Sequence, residues 1–334
     1  MRILATPHFG EAIGHIVRTG EILAQKFYND EVFVALPKNT IDNAQKYFHK
    51  EVQFIAMENH FQVNNESGKL DISIFNKSIL EDEEIIKYVS PNIIIDDPGI
   101  RGAILHEKTK IPLQVISHGI YKPTPKELLD ESYQYHALAN NIWEHVHKKL
   151  SELVTLGIGK NITWRSLVKD MEFIKLSNYI KESGKRLFFD KSKTTANVLI
   201  TDCSANKEIT PLLPLIDALY SHFQKKVILC TTAHLPITEK YECIGTSIAY
   251  EQLVDENTIV LSHGGSGTLR AIGTSKQIYL CPGDIDQLAN SLIANCNNNM
   301  KLLISERKWE EKIESGKPFV RESNWKIAVD FFTE

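Results

Sequence analysis

The stretch Thr258-Ile259-Val260-Leu261-Ser262-His263-Gly264-Gly265-Ser266-Gly267-Thr268 decides how this chain is read. A β-branched apolar run passes without a break into a glycine-rich loop, and Leu269–Gly273 can open a helix. Glycines let the backbone approach a ligand closely and adopt positive φ, and the N–H groups at a helix N-terminus point at an anion. Ser266 and Thr268 add hydroxyl donors, and His263 a ring N–H. The whole suits a diphosphate. The spacing matches neither the dinucleotide GxGxxG nor the GxxxxGK(S/T) phosphate loop, so NAD and ATP lose their main support. A tight strand-to-helix turn that needs small residues is the other use of such a loop.

Working outward, the same strand-and-helix rhythm fills the chain. Residues 1–6 form a strand, a loop runs to Ile13, and a helix follows through Phe27 with Ile16, Ile22, Leu23 and Phe27 apolar. Glu31–Leu36, Val52–Ala56, Ile93-Ile94-Ile95 and Leu113–Ser117 are further strands, with helices at Leu80–Val89 and Gly102–Lys108. The pattern restarts with strand Val198–Thr201, helix Pro211–Phe223 and strand Lys226–Thr231. It continues with Thr258–Ser262, strand Gln277–Cys281 and a helix from about Gln287. Strands separated by helices imply βαβ units and parallel sheets. The polar stretch Lys181–Thr195 reads as a linker, which predicts a domain over 1–185 and a second over 196–318. Residues 319–334 form a terminal helix expected to pack back towards the first domain.

A chain of 334 residues is long for one core. Its net charge of −4 argues against a nucleic-acid binder. No window approaches the apolar length of a membrane span, and the N-terminus lacks a signal-peptide pattern. The five cysteines (Cys203, Cys230, Cys243, Cys281 and Cys296) show no CxxC spacing, so they read as reduced thiols of a cytoplasmic protein.

The loop, taken with Pro282-Gly283-Asp284-Ile285-Asp286-Gln287-Leu288-Ala289-Asn290-Ser291, resembles the C-terminal signature of the UDP-glycosyltransferase superfamily. Bacterial macrolide and other natural-product glycosyltransferases carry the similar pattern HGGxGT…P…DQ…NA. The likeness is specific over about residues 246–291 and weaker over 1–25 and 88–120. It implies a GT-B fold, an α/β architecture of two Rossmann-like domains whose parallel sheets face each other across a cleft. His263 would then contact the donor phosphate, and Gly264, Gly265, Ser266, Gly267 and Thr268 would cradle the diphosphate. Asp286 and Gln287 would bind hydroxyls of the transferred sugar, and Ser204 would touch the diphosphate. Two departures matter. The glutamate that the family places eight residues after the loop histidine is Ala271 here, and the customary Gly-Val-Pro is Ser275-Lys276-Gln277. Without that ribose-binding carboxylate, dTDP stands beside UDP as the donor nucleotide.

At the other end, Gly14-His15 follows a strand whose carboxyl end is where open α/β sheets place ligands. Transfer to an acceptor hydroxyl needs a base, and histidine titrates near neutrality. The resemblance makes His15 that base and Asp96 the carboxylate that orients it. Asp97, one position on and opposite in an extended chain, is the alternative to Asp96. The family's proline three residues after the histidine is Arg18 here. His8 and His118 are candidates to line the acceptor pocket. Asp284-Ile285-Asp286 has no neighbouring acidic partner, so no metal is expected, and no cofactor beyond the nucleotide-sugar donor.

The expected activity is therefore metal-independent transfer of a sugar from a nucleotide-diphosphate sugar to a hydroxyl of a small-molecule or glycoconjugate acceptor, with inversion. Two other readings are carried. Gly14-His15-Ile16-Val17-Arg18 also resembles a Gly-His-x-x-Arg segment of GT-B-like hydrolases, and an inactive sugar-nucleotide-binding partner protein would keep the loop alone.

Overall fold

The computed structural model describes residues 1–8, 14–59, 71–97, 99–116, 137–168, 171–173, 198–201, 209–231, 233, 235–244, 253–265, 275–283, 287–288, 291–292, 299–315 and 321–333. They divide into two compact units, one holding every described strand up to Phe173 and the other every described strand from Val198 onward. The expected linker Lys181–Thr195 lies outside the described residues.

In the first unit, β1 (Arg2–Pro7), β2 (Glu31–Pro37), β3 (Gln53–Met57), β4 (Ile93–Asp97), β5 (Leu113–Val115) and β6 (Glu172–Phe173) form a six-stranded sheet in the order β3-β2-β1-β4-β5-β6. In the second, β7 (Val198–Ile200), β8 (Val227–Cys230), β9 (Tyr241–Ile244), β10 (Ile259–Ser262), β11 (Gln277–Leu280) and β12 (Met300–Leu302) run in the order β12-β11-β10-β7-β8-β9. All neighbouring strands pair parallel. Counted within its own unit, each sheet has the order 3-2-1-4-5-6, which is that of the Rossmann fold. The α/β class and the two Rossmann-like sheets expected from the sequence are both present. The order reverses between the first and fourth strands, at β1/β4 and at β7/β10. The carboxyl ends of such pairs are where open α/β sheets place their ligands.

Helices cover the sheets: α1 (Gly14–Lys26), α2 (Ile41–Ala44), α3 (Ile72–Val89), α4 (Ile100–Thr109), α5 (Ala137–Ile158), which belongs to it from Trp143 onward, and α6 (Trp164–Val168) in the first unit. The second has α7 (Leu213–Phe223), α8 (Glu306–Ser315) and α9 (Arg321–Thr333). Strand alternation sorts the first core into two layers. Ile3, Ala5, Val34 and Ile95 pack with Ile16, Ile22 and Leu23 of α1. Leu4, Phe33 and Ile94 point the other way, onto Phe75 and Ile79 of α3 and Ala103 and Ile104 of α4. Which face of β4 a residue occupies therefore decides which helix it meets.

α9 does not stand apart from the second unit. Phe332 packs edge-on against His222 and Phe223 of α7 and against Tyr279 of β11, and Lys301 sits over the Phe331 ring. Among the described residues no helix is long and apolar enough to cross a membrane.

Candidate functional sites at the sheet switch points

The first unit places a charged cluster at the end of β4. Register pairs Thr6 with Asp96 and Pro7 with Asp97, so the two carboxylates leave the strand on opposite faces. Asp97, fully buried, turns to the α1 layer, where His15, Arg18 and Thr19 share one helix face at i, i+3 and i+4. His15 Nδ1 lies 2.7 Å from Asp97 Oδ1. Arg18 Nε donates to Asp97 Oδ2 at 2.8 Å, and Arg18 Nη2 donates to Oδ1, which makes a bidentate pair. Thr19 Oγ1 stands 3.5 Å from Oδ2. Burial would raise the Asp97 pKa, but the charges and hydrogen bonds of Arg18 and His15 hold it well below the usual carboxylate range. An ionised Asp97 only accepts, so Nδ1 of His15 is the nitrogen that donates to it, and Nε2 is the nitrogen that faces away from the carboxylate. That is the orientation a general base needs. Arg18 Nη2 also lies 3.0 Å from Nδ1, so the guanidinium and the imidazole share one carboxylate.

The expected pairing of His15 with Asp96 is therefore corrected. Asp96 faces the α3/α4 layer, where its Oδ1 accepts from the Thr6 hydroxyl and its Oδ2 is buried without a hydrogen-bond partner among the described residues. Burial raises its pKa to about 6, against the Thr6 hydrogen bond and the nearby Arg101 charge. Gly102 of α4 comes so close that a Cβ there would collide with the Asp96 side chain, so this face has no room for an imidazole. Arg101 is committed to a buried bidentate pair with Asp82. His8 does come to the site, its ring edge-on to His15 with centroids 5.6 Å apart. His15 retains 24% side-chain exposure, so a substrate proton can reach it.

The second unit places the glycine loop at the end of β10. His263 is buried, and its Nδ1 lies 2.6 Å from the Cys281 carbonyl at the end of β11. Its ring lies against Trp325 of α9 at 3.9 Å between centroids, tilted by 31°. Gly264 has φ +81°, and a Cβ there would run into Ser291 Oγ, so only glycine lets the loop lie on the helical residues behind it. The Gly264 amide donates to Ser262 Oγ at 2.9 Å. Gly265 follows, half-buried. Gln287 comes to the same place, where its Oε1 accepts from the Gly283 amide at 2.7 Å. Ser204, Ser266, Gly267, Thr268, Asp286 and His118 lie outside the described residues.

Cys281 and Trp325 are members of the second cluster that sequence reasoning missed, and Asp97 stood only as the alternative to Asp96. Arg18 was visible at helical spacing from His15, and a buried guanidinium on that face requires a carboxylate. Nothing in the local sequence ties Trp325 to His263, 62 positions away.

No family model matches the chain, and no curated protein does. Among solved structures it is similar in fold to the glycotransferase of kitacinnamycin (TM-score 0.57, 11% identity, 99% of this chain and 95% of that one). It is also similar to the spinosyn rhamnosyltransferase SpnG complexed with thymidine diphosphate (TM-score 0.56, 15% identity, 100% and 96%). A third is Phytolacca americana UGT2 complexed with UDP-2fluoro-glucose and pterostilbene (TM-score 0.54, 11% identity, 98% and 94%). At these identities the likeness is one of fold, and it extends over both Rossmann-like units.

Proposed function

We propose that the chain is a glycosyltransferase that moves a sugar from a UDP- or dTDP-linked donor to a hydroxyl of a small-molecule acceptor, without a metal ion and with inversion at the anomeric carbon. The observation that carries this reading is the His15–Asp97 hydrogen bond at the first switch point, together with a glycine loop at the second. His15 Nε2 takes the acceptor proton, and Asp97 stabilises the imidazolium that forms. The acceptor oxygen bonds to the anomeric carbon as the bond to the nucleoside diphosphate breaks. Loop amides and His263 receive the negative charge on the leaving phosphate. One backside displacement inverts the configuration.

Both nucleotides enter because similar folds are known with thymidine diphosphate and with a UDP-sugar, and Ala271 stands where a ribose carboxylate would select between them. The free thiol of Cys243 suits a reducing compartment such as the cytoplasm.

A second reading, nucleotide-sugar hydrolysis, is favoured by Arg18. Its grip on Asp97 gives the Gly14-His15-x-x-Arg18 segment a structural role, and water would then replace the acceptor. The deciding experiment incubates the protein with UDP- and dTDP-sugars, with and without a panel of hydroxylated acceptors, and follows products by mass spectrometry. Acceptor-dependent glycoside supports transfer, and acceptor-independent free sugar supports hydrolysis. Nucleotide binding without either product supports an inactive partner protein.

A further inference from the structure

We infer that Arg18 is a positioning residue of the base: its two-pronged hold on Asp97 fixes the carboxylate in the one orientation in which Oδ1 meets the His15 ring. This rests on the proposed role of His15 as base, and it holds whether the nucleophile is an acceptor hydroxyl or water.

Asp97 closes β4, and its main chain is already fixed. Pro7 of β1 is its register partner, and its carbonyl accepts from the His8 amide. What remains to be set is the carboxylate, because rotation about the last side-chain bond of an aspartate has broad, two-fold wells. One hydrogen bond from His15 leaves that rotation open, since each carboxylate oxygen accepts along more than one direction. Arg18 removes the freedom. Its Nε donates to Oδ2 at 2.8 Å and its Nη2 donates to Oδ1, and a planar fork bonded to both oxygens sets the plane of the carboxylate.

The hold comes from the helix that carries the base. His15 and Arg18 lie one turn apart on α1, so imidazole, guanidinium and carboxylate keep their spacing as a unit. His15 Nδ1 lies 2.7 Å from Oδ1 and Arg18 Nη2 lies 3.0 Å from Nδ1, which puts base and fork side by side on one oxygen. Arg18 and Asp97 are both buried, so water competes little for their bonds. Arg18 makes a further contact besides these, but the fork is what the orientation of Asp97 requires. Charge alone does not supply it. An ammonium at the same place is a point charge on a flexible stem and sets no plane. The arginine stands where the resembled pattern has a proline, which has no side-chain donor at all.

The test compares full-length wild type, Arg18→Lys and Arg18→Gln, with His15→Ala as the reference for loss of the base. Donor turnover is followed as nucleotide release from UDP- and dTDP-sugars. Proton NMR follows the His15 ring N–H, assigned by its disappearance in His15→Ala. The expected result is a sharp, strongly deshielded ring N–H in the wild type that broadens in both Arg18 variants. In Arg18→Lys kcat should fall about tenfold to a hundredfold, with KM and nucleotide affinity unchanged. Thermal unfolding shows whether each variant is folded at the assay temperature, and the stoichiometry of nucleotide binding corrects kcat for the folded fraction. A folded Arg18→Lys protein with the wild-type resonance, or with the wild-type kcat, overturns the inference, as does a wild type that lacks the resonance. Unfolding of both Arg18 variants at the assay temperature overturns it in favour of a purely structural arginine. Full turnover by His15→Ala overturns the base itself and the inference with it. Where the wild type turns over no donor, the resonance decides alone.

Discussion

Replacing Asp96 by Asn should stabilise the protein at neutral pH, because the carboxylate is buried with its charge only partly compensated. Its pKa is raised to about 6 from an ordinary value of 3.8, with burial the largest cause. Below pH 3.8 the group is protonated in both folded and unfolded chains, and its contribution to stability is then fully present. As pH rises the unfolded chain ionises first, so the folded state holds the extra proton and stability falls until the folded group ionises as well. A separation of about two units corresponds to about 3 kcal/mol lost by pH 7. Asn keeps an oxygen to accept from Thr6 and carries no charge, and Arg101 retains Asp82. The variant should therefore melt roughly 6–12 °C higher than wild type at pH 8, with the gap closing towards pH 4. Calorimetry of both proteins between pH 4 and 8 measures it. A gap absent at pH 8, or equally wide at pH 4, refutes the reasoning. The same variant should keep nucleotide-sugar turnover, since Asp96 does not touch His15.

Three further outcomes are expected. His15→Ala should remove turnover, measured as nucleotide release from the donor, while leaving UDP or dTDP binding by thermal shift unchanged. Gly264→Ala places a side chain at φ +81° against Ser291, so titration should show donor binding lost and unfolding should show a destabilisation of about 1–2 kcal/mol or more. Arg101→Leu strands the buried Asp82 carboxylate and should cost about 3–5 kcal/mol in urea unfolding, and the double variant with Asp82→Leu should recover most of it.

The interior of the fold was legible, and of the four edge strands only β3 was. Every strand that pairs on both sides was read from an apolar run, because a parallel strand covered by helices needs apolar residues on both faces. The strands that were missed are β6, β9 and β12, each at the edge of its sheet. Tyr241-Glu242-Cys243-Ile244 is half-buried throughout and carries a charge, so it lacks the continuous run that marks a central strand. The start of α3 was missed for another reason. Asp71 caps it by accepting from the Ile74 amide at 3.1 Å, but the first turn exposes Ile72 and Ile74 and shows no apolar stripe.

The choice between Asp96 and Asp97 shows what kind of information a sequence lacks at a site. Alternation along β4 established that the two carboxylates part company, but not which layer of helices each one meets. That depends on α1 covering the face of Ile3, Ala5 and Ile95, a matter of how the first connection crosses the sheet. Once that face is known the assignment follows by parity: Asp97 lies with Ile95, and His15 and Arg18 reach it from α1. Arg18 then alters the chemistry as well as the geometry. A carboxylate given to the histidine alone would spend its whole charge on the imidazolium, whereas here a fixed guanidinium neutralises part of it. Removing Asp97 therefore exposes a buried cation as well as disarming the base. Asp97→Asn should cost about 3–5 kcal/mol of stability in addition to turnover, whereas His15→Ala should cost turnover with little stability. Equal unfolding midpoints for the two variants would show that Arg18 does not depend on Asp97.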